Sequence, residues 1–182
     1  MVVIKAIEAD DLHSFLDFFD SRAFASDPDW HGCYCQGFIG DVQVSAGQDE
    51  AAVMRSAACD RISAGKMQGY LAYQGEQVVG WCAAGESKLF AEIPDADERL
   101  ARIVCFVIQE DYRGQGIATK LLDFAVGDLR VKGFAELEGR AARPEDTSKM
   151  NFTGPYAMYL KAGFEEFKDL GEHGILMRLA LA

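Results

Sequence analysis

One junction in the chain carries residues whose types and spacing suit chemistry. The apolar run Val104-Cys105-Phe106-Val107-Ile108 gives way, through Gln109-Glu110-Asp111-Tyr112, to Arg113-Gly114-Gln115-Gly116-Ile117-Ala118-Thr119. Gly114 and Gly116 let the backbone curl closely around a ligand, because glycine tolerates positive φ. A helix starting beyond them would present unpaired N–H groups and the positive end of its dipole. Arg113 adds charge and directed donors. These parts make a cradle for phosphate or pyrophosphate. The spacing is not that of the nucleotide P-loop, nor Gly-x-Gly-x-x-Gly, since Ala118 and Thr119 follow Ile117. A second unusual stretch, Trp30-His31-Gly32-Cys33-Tyr34-Cys35-Gln36-Gly37-Phe38, gathers aromatic rings and thiols.

The elements that must position these groups follow from periodicity. Residues 2–7 and 100–107 read as strands, rich in β-branched side chains. Residues 69–73 and 77–84 read as a hairpin around Gln74-Gly75-Glu76. Leu12, Phe15, Leu16 and Phe19 recur at helical spacing, with Asp10 or Asp11 as the cap. Residues 48–66 read as a second helix, with Val53, Ala57, Cys59 and Ile62 on its apolar face. The strongest helix begins at Ile117, whose face continues through Ala118, Leu121, Leu122, Ala125, Val126 and Leu129, and Lys132-Gly133 stops it. Residues 134–138 follow as a strand, and 155–162 as a short helix opened by Pro155. Residues 164–168 and 175–181 are closing strands paired around Gly171. Residues 91–97 and 140–148 read as loops. The order predicts an α/β (or α+β) domain with one central sheet spanning residues 1–182.

Composition narrows the function. The chain has 182 residues, 49% of them hydrophobic, enough for a substantial core. A net charge of -11 argues against nucleic acid as a partner and biases weakly toward cationic ones, although solubility is the better explanation of it. No apolar stretch is long enough to span a membrane, and no secretory signal is evident. Five cysteines, an odd number, point to reduced thiols and a cytoplasmic setting. Cys33 and Cys35 are too cramped for a zinc site with His31, and no fourth ligand is apparent, so no metal is expected.

Arg113-Gly114-Gln115-Gly116-Ile117-Ala118 resembles the Arg/Gln-x-x-Gly-x-Gly/Ala signature of the GCN5-related N-acetyltransferase (GNAT) superfamily. Tyr159-Leu160-Lys161-Ala162-Gly163-Phe164 resembles the family's Tyr-x-x-x-Gly-Phe segment, in the expected order. The aromatic stretch is similar to a Trp-x-x-Cys-Tyr-Cys segment in a subset of the family, which brings no acceptor with it. The resemblance implies a mixed, mostly antiparallel sheet flanked by helices, and an acetyl-CoA-dependent N-acetyltransferase acting on a primary amine, in a small molecule or a peptide. Acyl transfer to oxygen or sulfur, and a non-enzymatic acyl-CoA sensor, are the alternatives. Family members are often homodimers.

Carried over residue by residue, the resemblance puts the pyrophosphate on the turn at Arg113, Gly114, Gln115, Gly116, Ile117 and Ala118. Thr119 fits either a phosphate contact or helix capping. Cys105, Phe106 and Val107 would flank the pantetheine arm, and an amide near Val107 would polarise the thioester carbonyl. Tyr159 would protonate the leaving thiolate. Asn151 is expected at the cofactor, although it lies eight residues before Tyr159 where the family pattern has seven, and Pro155 takes the usual Ala register. Glu138 is the candidate general base, with Glu110 as the other. Trp30, His31, Tyr34 and Phe38 would form an acceptor wall. The same stretch also fits a packed loop with buried thiols, or direct cysteine chemistry.

Overall fold

The computed structural model describes residues 1–26, 30–39, 42–90, 98–145 and 152–181. Asn151 and the expected loop at 91–97 lie outside the described residues. The strands are β1 (Val2–Ala6), β2 (Tyr70–Gln74), β3 (Gln77–Glu86), β4 (Leu100–Ile108), β5 (Glu136–Ala141), β6 (Glu165–Asp169) and β7 (Ile175–Ala180). They form one seven-stranded sheet in the order β1-β2-β3-β4-β5-β7-β6. Only β4 and β5 run parallel; the other pairs are antiparallel. This is the mixed sheet expected of the fold.

Alternation along the strands divides the core between the two faces of the sheet. Val79, Cys82 and Ala84 of β3 pack with helix α3 (Ile117–Val131) and with α4 (Tyr156–Lys161). Val78, Trp81 and Ala83 point the other way, onto α1 (Leu12–Ser21) and α2 (Glu50–Ser63). On α3 the buried residues are Ile117, Leu121, Leu122, Ala125 and Leu129, the stripe set by spacings of three and four. On α2 they are Ala58 and Ile62, so Ala58, rather than its neighbours Ala57 and Cys59, faces the core.

Asp11 does not cap α1 with its side chain. Its carboxylate accepts from the Glu8 amide at 3.0 Å and from Tyr73 Oη at 2.8 Å, and pairs with Lys5 Nζ. Burial pulls its pKa up, but the Lys5, Glu8 and Tyr73 bonds outweigh this and hold it below the ordinary carboxylate range.

Strand β5 starts later and runs further than its residue types suggest. The Phe134 and Ala135 amides bond to Leu129 and Arg99 carbonyls, so these residues close the turn after α3. Arg140 and Ala141, read as loop because of their polar surroundings in sequence, pair instead with Leu176 and Ile175 of β7.

Candidate active site

The site begins where β4 and β5 part. Their pairing runs from Leu100↔Glu136 to Ile103↔Gly139 and ends there. Beyond that point β5 follows β7 to Ala141, while β4 stays on β3 as far as Ile108. At the same point β4 is irregular: Ile103 pairs with Ala84 and Cys105 with Ala83, leaving Val104 over. An extra residue bends and twists its strand, which helps β4 diverge. A cavity of about 360 Å³ lies along the opened edge, lined by Cys105–Ile108, the turn at Arg113 and Gly114, and the start of α3.

The turn is shaped as its glycines require. Gly114 and Gly116 have φ of +73° and +77°, and the space beside their α-carbons is open. Gly116 is the N-cap of α3 and gives no side-chain hydrogen bond to the first turn. The orphan N–H groups of that turn are therefore unclaimed by a capping side chain. Arg113 Nε donates to the Ile108 carbonyl at 3.0 Å, and Gln115 Nε2 to the Asp111 carbonyl at 2.8 Å, bracing the loop from both sides. Gly116, Ile117, Ala118 and Thr119 line the cavity; Gln115 does not, and serves as a brace.

Residues 152–154 span the split. The Phe106 amide donates to the Phe152 carbonyl at 2.6 Å, and the Ala142 amide to the Gly154 carbonyl at 2.9 Å. Tyr159 Oη donates to the Thr153 carbonyl at 2.8 Å. Strand alternation explains the first bond. The Gln109 amide turns to Val79 on β3 and that of Phe106 to the opposite edge, so the amides facing the opening are those of Phe106 and Ile108, with Val107 turned toward β3. Tyr159 is fully buried against Phe164, its ring over Gly139. Burial drives its pKa well above the ordinary phenol value.

The aromatic stretch divides between wall and core. Trp30 and Phe38 line the cavity and meet the Phe152 ring at centroid distances of 5.3 and 6.0 Å. Tyr34 turns inward instead: it is buried, and its hydroxyl donates to Asp20 at 2.6 Å. Burial and the Asp20 carboxylate push its pKa up to about 12. His31 is exposed and lines neither cavity of this region. The acceptor wall expected from Trp30, His31 and Tyr34 is thus not one surface. Cys33 lines the cavity, while Cys35 is buried and accepts from Trp81 Nε1 at 3.2 Å. The hydrogen bond that its thiol gives to Cys35, together with burial, raises the Cys33 pKa, so the thiol stays neutral and is a poor nucleophile. Among the described residues no group of His, Cys, Asp or Glu could hold a metal ion.

Glu138 is differently employed from a base. It is 2% exposed, and both oxygens are taken: Oε2 by Arg102 Nε at 3.0 Å and Oε1 by Arg178 Nε at 3.1 Å. The three residues are register partners across β4, β5 and β7, so the contacts follow directly from strand pairing. Buried and held between two guanidiniums, this carboxylate serves as the hub of an ion-pair network across the sheet. Glu110 is exposed on the turn before Arg113 and lines neither cavity.

A second cavity, of about 580 Å³, opens on the β5 side of the split. It is lined by Ile103 and Val104 where the first begins at Cys105, and the two share Phe38. Arg102, Arg140, Lys168 and His173 supply its polar groups beside Glu138. Sequence reasoning passed over all four as site residues. Arg102 was the legible one, a lone charge in an apolar strand.

Residues 66–166 match the family model described as "Acetyltransferase (GNAT) domain". The chain belongs to the GNAT superfamily and is an acetyl-CoA-dependent acetyltransferase of the N-acetyltransferase class. Solved structures agree on the fold. An N-acetyltransferase from Staphylococcus aureus Mu50 superposes with a TM-score of 0.62 at 16% identity, covering 100% of this chain and 99% of that one. A GNAT-family acetyltransferase from Streptococcus pneumoniae gives 0.58 at 14%, covering 100% of both. The PaiA N-acetyltransferase of Thermoplasma acidophilum, solved in complex with coenzyme A, gives 0.55 at 13%, covering 99% of both. A search of curated proteins found no significant sequence match. Among the described residues no helix is long and apolar enough to cross a membrane.

Proposed function

We propose that the protein transfers the acetyl group of acetyl-CoA to a primary amine by direct attack on the thioester. The observation that carries this reading is the split between β4 and β5, with one cavity running from it to the glycine turn and another opening on its far side. The first is suited to the cofactor: an open backbone edge for the pantetheine amides, then helix N–H groups and Arg113 for the phosphates. Acetyl-CoA supplies the activated acetyl group.

In this reading the chain contributes two donors. The Phe106 amide polarises the carbonyl as charge develops on its oxygen. The Tyr159 hydroxyl protonates the departing sulfur, its raised pKa keeping it in the acid form. Both donors are held by adjacent carbonyls, Phe106 by Phe152 and Tyr159 by Thr153. A shift of residues 152–153 on cofactor binding would release the two together. Among the described residues lining both cavities Glu138 is the only carboxylate. With its oxygens occupied, the amine proton leaves through water.

The test is release of free coenzyme A thiol from acetyl-CoA over a panel of primary amines, with mass spectrometry of the products. Acetyl amide formation supports the reading; acetylation confined to hydroxyl or thiol acceptors contradicts it.

A further inference from the structure

We infer that the second cavity recognises an anionic group on the acceptor, and that the acceptor is a small amine that also bears a carboxylate, as an amino acid does. This deepens the acetyltransferase reading and rests on it. The argument starts from charge. The chain as a whole carries -11, yet among the described residues the permanent charges lining this cavity are the cations Arg102, Arg140 and Lys168 and the carboxylate Glu138. That carboxylate is already matched, since Arg102 and Arg178 hold its two oxygens.

Among the described residues, donors beyond that ion pair are left over. Arg102 is 5% exposed, and its Nη1 is buried without a hydrogen-bond partner. A buried guanidinium nitrogen left bare is costly, and such groups are ordinarily satisfied by an acceptor. Among the described residues Arg140 and Lys168 form no ion pair. Asp169, beside Lys168 in sequence, is engaged by Arg143, and Glu136 by Arg178. A concave site with low-dielectric walls focuses such a field, here inside a protein whose overall charge repels anions.

The position gives the field its use. Ile103 and Val104 line this cavity and Cys105 the cofactor cavity, so a molecule here meets the split from the side away from the glycine turn. A carboxylate held by Arg140 and Lys168 would leave its amine free to face the opening. The apolar residues Phe38, Phe90 and Leu176 complete the lining and suit the carbon skeleton.

The experiment uses the full chain saturated with coenzyme A, titrated with glutarate and, separately, with cadaverine, a diamine of the same carbon count. It is repeated with Arg140→Gln/Lys168→Gln. Neither residue is in an ion pair and Lys168 is exposed, so the variant should fold, which acetyl-CoA calorimetry on the same sample verifies. Glutarate should bind the wild type, weaken with added salt, and bind the variant at least tenfold more weakly, while cadaverine should not bind. Binding of cadaverine, equal glutarate affinity in the variant, or no glutarate binding overturns the inference. In turnover, amino acids should exceed their decarboxylated amines at least tenfold in kcat/KM, with the variant raising KM and sparing kcat. Failure of the wild type to bind acetyl-CoA would instead count against the acetyltransferase reading, and the glutarate titration, then run on the chain without coenzyme A, would still judge the cavity.

Discussion

Replacing Gly116 by alanine separates backbone strain from ligand contact. At φ +77° the new side chain sits in the left-handed region, which costs an L-residue about 1 kcal/mol. No neighbour lies within 4 Å of the added Cβ, so the folded protein suffers no clash. For a chain of this size that penalty lowers Tm by about 2–4 °C. Gly75, in the β2–β3 turn, has φ +64° and equally open surroundings, but lines neither cavity. Gly75→Ala should therefore lose the same stability and nothing else. At Gly116 the methyl group projects where a phosphate would approach the first turn of α3. Losing one charge-assisted hydrogen bond, roughly 1.5–3 kcal/mol, weakens acetyl-CoA about tenfold to a hundredfold. Scanning calorimetry reads the first quantity and titration calorimetry the second. Wild-type affinity in Gly116→Ala, or an equal loss in Gly75→Ala, would show that the turn is not a phosphate cradle.

Further outcomes follow from the same geometry. Glu138→Gln strips the charge between Arg102 and Arg178 and should destabilise the fold by about 3 kcal/mol, measured by denaturant titration; the double variant Arg102→Met/Glu138→Met should recover part of that loss. Tyr159→Phe should lower kcat while sparing acetyl-CoA affinity, and unchanged kcat would remove Tyr159 as the acid. Because burial raises the Tyr159 pKa, the wild-type pH–rate profile should show no falling limb from this group below about pH 10. Asp11 titrates lower in the folded chain than in the unfolded one, so its contribution is present above about pH 4 and lost as pH falls through its folded value. Asp11→Asn should flatten the acid limb of Tm against pH.

Helix α3 and the turn before it were legible because two local signals agree there: a 3.6-residue apolar stripe and glycines where the chain must enter φ > 0. The parallel β4–β5 contact was less accessible, since register depends on partners remote in sequence. Arg140 illustrates the consequence. Its polar neighbours suggest a loop, yet pairing with Leu176 makes it strand and brings it to the second cavity. Glu138 looked available for proton transfer until register set it between Arg102 and Arg178. Tyr34 misled for a related reason. An aromatic residue in a polar loop reads as surface, whereas left-handed backbone at Tyr34 and Cys35 turns the stretch into the core beside Trp81.

The most direct test of the central claim is calorimetric titration of the protein with acetyl-CoA, with desulfo-CoA and adenosine nucleotides as comparisons. One saturable site for acetyl-CoA, weakened when the pantetheine arm is missing, is the predicted result. No binding by folded protein free of copurified coenzyme A would contradict it.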